Sequence, residues 1–145
     1  PDKEYTKGSW GYIGGEISGT QTEVNATMET PLYQTQRKGL NGYRFDLPNG
    51  EYEVELLFSD IYKNKEQEVY LLNHKEGSSI SEDNCFDISI NGDIVENRFC
   101  PSAFSGKFFA VKRRYIVGTT ESKIEINFKA NQGVTFLSGI KIRKI

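Results

Sequence analysis

One feature of this chain limits its fold more than any other: apolar and polar residues alternate one for one over several short stretches. Tyr52, Val54, Leu56 and Phe58 alternate with Glu51, Glu53 and Glu55. A period of two places one set on each face of an extended strand, so this stretch reads as a half-buried strand with a solvated acidic face. Ile124, Ile126 and Phe128 repeat the pattern against Lys123, Glu125, Asn127 and Lys129. So do Phe86, Ile88 and Ile90, which run into Asn91-Gly92, a hairpin turn signal. Tyr43, Phe45 and Leu47 lead into Pro48-Asn49-Gly50, where proline presets one backbone angle and glycine accepts a positive one. Phe109, Val111, Tyr115 and Val117 keep the same phase, although Arg113 interrupts their apolar face, and Ile140 with Ile142 forms a last strand. No stretch carries a long helical period. Residues 63–84 are rich in Lys, Glu, Ser and Asn and read as a long loop, with a short helical turn near Asn64 to Val69. Short strands punctuated by turns imply an all-β chain, an antiparallel β-sandwich or jelly roll with little helix.

A chain of 145 residues is one domain. It can bury about two-thirds of its unfolded surface without metal or disulfide staples. Its 18 basic and 20 acidic residues nearly balance, which argues against a phosphate-neutralising nucleic-acid surface and against a polybasic membrane anchor. Its apolar runs, such as Val69 to Leu72, fall far short of the ~20 residues of a membrane span. Cys85 and Cys100 read as two ordinary buried thiols, a bridge between them staying open if they sit on the arms of one hairpin. Asn25-Ala26-Thr27 fits the glycosylation pattern, which is short and unspecific.

Catalysis finds little support. The single histidine, His74, lies in the polar stretch with no nucleophile motif around any serine. Metal-ligand spacings of Cys and His are absent, and no cofactor signature is present. Glu16, Glu29 and Asp60 are carboxylates outside the obvious solvent faces, and they read first as turn or hydrogen-bonding residues. Binding is the better lead. Gly8-Ser9-Trp10-Gly11-Tyr12-Ile13-Gly14-Gly15 surrounds the one tryptophan with glycines, which either leaves the indole face open or marks a core tryptophan beside a turn. Pro31-Leu32-Tyr33-Gln34-Thr35-Gln36-Arg37 mixes a ring with amide and guanidinium donors. Phe58-Ser59-Asp60-Ile61-Tyr62 ends the clearest strand at a rim. Rings beside short polar groups suit a sugar, whose C–H faces pack on aromatics and whose hydroxyls need donors and acceptors.

In their order along the chain these segments resemble the malectin-like family of carbohydrate-binding domains. Leu32-Tyr33-Gln34-Thr35-Gln36-Arg37 is similar to the family's LYQTER segment, and residues 50–62 to its G-x-Y-x-V-x-L-x-F-A-E-x-Y strand. Phe86-Asp87-Ile88-Ser89-Ile90-Asn91-Gly92 is similar to its F-D-V-x-I-N-G hairpin, and Leu137-Ser138-Gly139-Ile140-Lys141-Ile142 to its closing strand. The resemblance implies a galactose-binding-like β-sandwich over residues 1–145 that binds a neutral glycan at an aromatic-lined edge and does no chemistry. Trp10 to Gly15, with Asp2 and Tyr5 before it, resembles the malectin-like modules appended to bacterial glycoside hydrolases, often family-two enzymes of the β-galactosidase type. That implies one piece of a longer multidomain enzyme, secreted or periplasmic, in which the strand that family members usually carry before the Asp2 to Trp10 region is either missing or supplied differently. The expected partners are a glycan and the other domains of the parent enzyme, with no nucleic acid, membrane, metal or cofactor.

Carried over position by position, the family's site is only partly kept. Its first site tyrosine falls on Trp10, its ring after the Gln-Thr-x-Arg segment on Lys38, its Tyr-Phe pair on Tyr62 and Lys63, and its late acidic residue near Ala130 and Asn131. Trp10, Tyr62, Tyr12, Tyr33, Arg37, Lys38, Lys63 and Asn131 are therefore the candidate carbohydrate-binding residues. The lost rings leave a second expectation open, a structural spacer that kept the fold and lost the sugar site.

Overall fold

The computed structural model describes residues 2–19, 35–60, 84–102 and 110–145. The strand expected around Tyr52 is β3 (Gly50–Phe58), the middle strand of a three-stranded sheet between β6 (Val111–Thr119) and β9 (Gly139–Lys144). Its inward residues Tyr52, Val54, Leu56 and Phe58 are all buried, as the alternation requires. The outer face is less solvated than the acidic pattern suggests. Glu55 is buried, accepts a hydrogen bond from Arg114 at 2.7 Å and lies 3.9 Å from Lys141. The Arg114 hydrogen bond holds its carboxyl below the usual glutamate range.

The larger sheet runs in the order β1 (Trp10–Gly19), β2 (Thr35–Asp46), β7 (Lys123–Gln132), β4 (Cys85–Ile90), β5 (Asp93–Phe99), with β8 (Phe136–Leu137) also paired to β2. All strand pairings within the two sheets are antiparallel. The Asn91-Gly92 turn joins β4 to β5 with φ of 49° and 87°, the pair of positive angles that a tight twisted hairpin needs. Facing side chains fill the space between the sheets. Phe86 meets Phe58, Phe99, Phe128 and Phe136 at ring separations of 5.9, 6.0, 5.9 and 5.4 Å, mostly edge to face. Arg113, which interrupts the apolar phase of β6, lies with its guanidinium 5.2 Å from the Phe99 ring and its Nε 3.5 Å from Glu96.

Two features depart from the sequence reading. Cys85 and Cys100 are not separate thiols: they form a disulfide with a Cα–Cα distance of 4.3 Å, tying the start of β4 to the residue after β5. The other is β1. Its glycine-rich sequence carries no alternation, yet it is a ten-residue strand. The preceding residues cover its outer edge, the Tyr12 amide donating to Lys3 O and the Tyr5 amide to Tyr12 O. A methyl group on Gly11 would overlap the backbone of residues 3–5, so glycine is what admits this approach.

Chain direction also sets the geometry of one end of the sandwich. Leu137 pairs with Arg37 in the larger sheet, and Gly139 pairs with Leu57 in the smaller one. Ser138 alone spans the gap, its amide donating to Leu57 O. The two sheets are thus drawn together there by a single residue.

Candidate functional site

Between the β1/β2 face of the larger sheet and the β9 side of the smaller one runs a groove of about 850 Å³. It follows β2 from Gln36 to Asp46, about 30 Å at the usual rise of a strand. Trp10, Phe45 and Tyr43 line it from the larger sheet, and Tyr52, Ile140 and Ile142 from the smaller. Trp10 sits opposite Phe45 in the β1/β2 register. Its ring is 6.0 Å from Phe45 and 6° from parallel, and Phe45 is in turn 6.4 Å from Tyr43 at 17°. Three near-parallel rings therefore follow one another along the groove. Trp10 keeps 39% of its surface exposed, which settles the sequence alternatives in favour of an accessible indole, and Lys3 Nζ lies 5.1 Å from its centroid.

Asp2 lies in the same groove at the centre of a polar clamp. Arg37 Nε and Nη2 donate to its two carboxylate oxygens at 2.7 and 3.1 Å, and Tyr43 Oη donates at 2.7 Å. The Arg37 hydrogen bond is the main reason the Asp2 carboxyl lies below its ordinary range. Burial, followed by the hydrogen bond to Asp2, pushes the Tyr43 phenol far up. Arg37 also donates through Nη1 to Gly15 O at 2.9 Å, and its guanidinium lies 3.4 Å from the Tyr12 ring. At 6% exposure Arg37 holds the fold together, and its stacking occupies a face of Tyr12.

The remaining candidates do not gather around Trp10. Lys38 is opposite Glu16, seven positions along β2 from Phe45 or roughly 20 Å, and forms an ion pair with Glu16 at 3.4 Å. Asn131 is exposed and is the extra residue of the bulge where Cys85 faces Gln132 and Phe86 faces Ala130. It lies toward the Lys38 end of the sandwich. Tyr33, Tyr62 and Lys63, like Glu29, His74 and the Asn25 sequon, lie outside the described residues. One aromatic edge shared by Trp10, Lys38 and Asn131 is therefore not formed. The register of β2 keeps them apart. Asp60 is buried and accepts hydrogen bonds from Asn84 Nδ2 at 3.1 and 3.3 Å, while Asn84 Oδ1 receives the Val134 amide at 3.0 Å. That is a structural knot between the end of β3 and the start of β4. Strand alternation assigns Tyr43 and Phe45 to the core, and there Tyr43 is buried with Phe45 packed partly buried against the cluster; sequence reasoning missed that both also line the groove. Their position beside the tryptophan follows only from the β1/β2 pairing.

Comparison with known proteins agrees with this architecture. The family model "Malectin domain" matches residues 1–142. A crystal structure of a Bacteroides uniformis β-glucuronidase superposes with a TM-score of 0.86 at 41% identity, covering 100% of this chain and 15% of that one. The ANX2 ectodomain of Arabidopsis thaliana superposes at 0.69 with 17% identity, covering 92% of this chain and 42% of that one, and the plant receptor-like kinase FER at 0.67 with 16%, covering 92% and 34%. These two share the fold. No curated protein matches. The chain spans about 15% of the length of the β-glucuronidase it resembles. With its two-sheet sandwich and with nearly every residue within the family model, the chain belongs to the Malectin domain family, a carbohydrate-binding fold.

Proposed function

We propose that this chain is a non-catalytic carbohydrate-binding module of a larger glycoside hydrolase, and that it holds a neutral glycan on the ring row of the β1/β2 groove. The observation that carries this reading is the near-parallel succession of Trp10, Phe45 and Tyr43 along a groove whose first ring is open. The exposed Trp10 ring offers flat apolar area to pyranose C–H faces at little entropy cost, with the less exposed Phe45 and Tyr43 aligned behind it. The β-glucuronidase relative supports a parent enzyme of glycosidase chemistry, and favours a β-glucuronidase type over the β-galactosidase type implied by the sequence. The Cys85–Cys100 disulfide supports an oxidising compartment, hence secretion or the periplasm.

A shallow site with few rings binds in the ~mM to ~μM range. Its use is tethering, which raises the effective concentration of a polymer at the parent's active site. The reading is tested by titrating the chain and its Trp10→Ala variant with a panel of neutral glycans in a calorimeter. Binding that falls about tenfold in the variant supports it. Absence of binding to every glycan favours a structural spacer. That second reading has its own observation: of the candidate sugar contacts, Arg37 is engaged in holding Asp2 and its guanidinium covers a face of Tyr12.

A further inference from the structure

Gln36 is 3% exposed, yet neither its Nε2 nor its Oε1 has a hydrogen-bond partner among the described residues. Ser138 Oγ, also buried, has none either. Both residues line the groove, at the end opposite Trp10. The register explains why they are close. Arg37 faces Leu137 in the last pair of β2 with β8, and Gln36 and Ser138 are the chain neighbours of that pair, Ser138 at the point where the chain passes to the smaller sheet. A primary amide and a hydroxyl left unmatched in an apolar setting each carry a desolvation cost. Two of them lining one groove beside the same strand pair is a pattern that a ligand, and not the fold, completes.

We propose that Gln36 and Ser138 form a second subsite that reads hydroxyl groups, so that the groove takes a neutral oligosaccharide chain and not a single sugar. This rests on the carbohydrate-binding reading given above. The chemistry is complementary: the amide offers two N–H donors and a carbonyl acceptor, the serine one of each, and adjacent sugar hydroxyls both donate and accept. The spacing points to a chain. Gln36 and Phe45 are nine positions apart on β2, about 30 Å, so one sugar on Trp10 cannot reach the amide. Charge points to neutrality. The groove's charged residues are Asp2, Asp46 and Arg37, and the guanidinium is already held by Asp2. Asp46 accepts from Tyr5 Oη at 2.6 Å and from Arg44 Nε at 3.1 Å. Lys3, whose Nζ lies 5.1 Å from the Trp10 ring, donates to Ser9 Oγ at 2.7 Å, so a uronate carboxylate would meet two carboxylates and cations that already have partners.

The test is calorimetric titration of the 145-residue chain with cellohexaose, maltohexaose, xylohexaose, mannohexaose and hexagalacturonate, each beside its monosaccharide. The variants are Gln36→Met, Ser138→Ala and Trp10→Ala. At least one neutral hexasaccharide should bind at least tenfold more tightly than its monosaccharide. Gln36→Met and Ser138→Ala should each weaken the hexasaccharide about two- to tenfold, the worth of a neutral hydrogen bond, and leave the monosaccharide unchanged. Gln36→Met should also raise the melting temperature, since it removes an unmatched amide while keeping the volume. A purely structural glutamine would not show that combination. If both variants bind every hexasaccharide as the parent chain does while Trp10→Ala weakens it, the second subsite is wrong and the carbohydrate-binding reading stands. If hexagalacturonate binds more tightly than the neutral chains, the assigned ligand class is wrong. If the parent chain binds none of the probes, both readings fall.

Discussion

Arg37 grips Asp2 at two points, Nε to Oδ2 at 2.7 Å and Nη2 to Oδ1 at 3.1 Å, and so fastens the segment before β1 across the face of β2. The same segment hydrogen-bonds along the outer edge of β1. An edge strand without alternation is thereby held on both sides, by β2 and by the residues that precede it.

This pair sets an acid limit on stability. The Asp2 carboxyl sits below its usual value of 3.8, chiefly through the Arg37 hydrogen bond. A depressed carboxylate stabilises the fold fully above its unfolded value, and that contribution is lost as pH falls through the folded value. Urea denaturation of the parent chain should therefore lose stability below about pH 4 more steeply than Asp2→Asn does. Near pH 7 the variant should be less stable by about 2 kcal/mol, since a buried guanidinium loses its ionic partner while Asp2 itself is partly exposed. Parallel pH profiles for the two proteins would show that the pair does not set the limit.

Arg37→Met tests the other half of the clamp. It keeps length and apolar bulk, so it should cost less at pH 7 than Arg37→Ala, which also strips packing from Tyr12. A gap of about 1 kcal/mol between the two in urea would measure the stacking contribution. Equal costs would assign all of it to the charge pair.

The disulfide closes a 15-residue separation across the β4–β5 hairpin. In the chain-entropy account a loop of this size contributes about 3 kcal/mol. Reduction, or replacement of both Cys85 and Cys100 by alanine, should lower the urea midpoint accordingly. Thiol titration of the unfolded, unreduced chain should find no free thiol from this pair.

How much of this was legible depended on whether a residue's environment was local. β3 was readable because Tyr52, Val54, Leu56 and Phe58 face one core without a break. The β4–β5 hairpin was readable because Asn91-Gly92 specifies its own backbone. β1 was not, since Gly11, Gly14 and Gly15 carry no pattern and their strand is set by partners on β2 and on residues 3–5. The disulfide needed the hairpin register before two cysteines could be brought within 4.3 Å. The site suffered most. Trp10, Tyr12 and Arg37 were identified as residue types, but the clamp that engages Arg37 with Asp2 and stacks it on Tyr12, and the register that parts Trp10 from Lys38, are long-range facts.

Phe86 contacts four other rings in the core, so truncating it should be costly. Phe86→Ala should destabilise by about 3–5 kcal/mol in urea, with Phe86→Leu intermediate. Ile116, exposed on the outer face of β6, is the control, and Ile116→Thr should stay within about 0.5 kcal/mol.

Gly11 and Gly118 make the sharpest comparison, because both lie in strands and only one has a neighbour in the way. A Cβ at Gly11 would fall on the backbone of Lys3, Glu4 and Tyr5, which cannot yield as a flexible side chain does. A Cβ at Gly118 meets nothing within 4 Å. Gly11→Ala should therefore push residues 3–5 off the edge of β1, at about 1–3 kcal/mol of overpacking strain. It should also weaken the Asp2–Arg37 grip, because residue 2 moves with that segment. Hydrogen exchange at the Tyr5 and Tyr12 amides reads the displacement directly, since both donate across this edge. Both amides should exchange faster in Gly11→Ala and unchanged in Gly118→Ala, which should be neutral or slightly stabilising through the unfolded chain. Protection of Tyr12 that survives Gly11→Ala would mean that residues 3–5 keep their place on the edge despite the added methyl, and that the close approach at Gly11 is not what requires glycine.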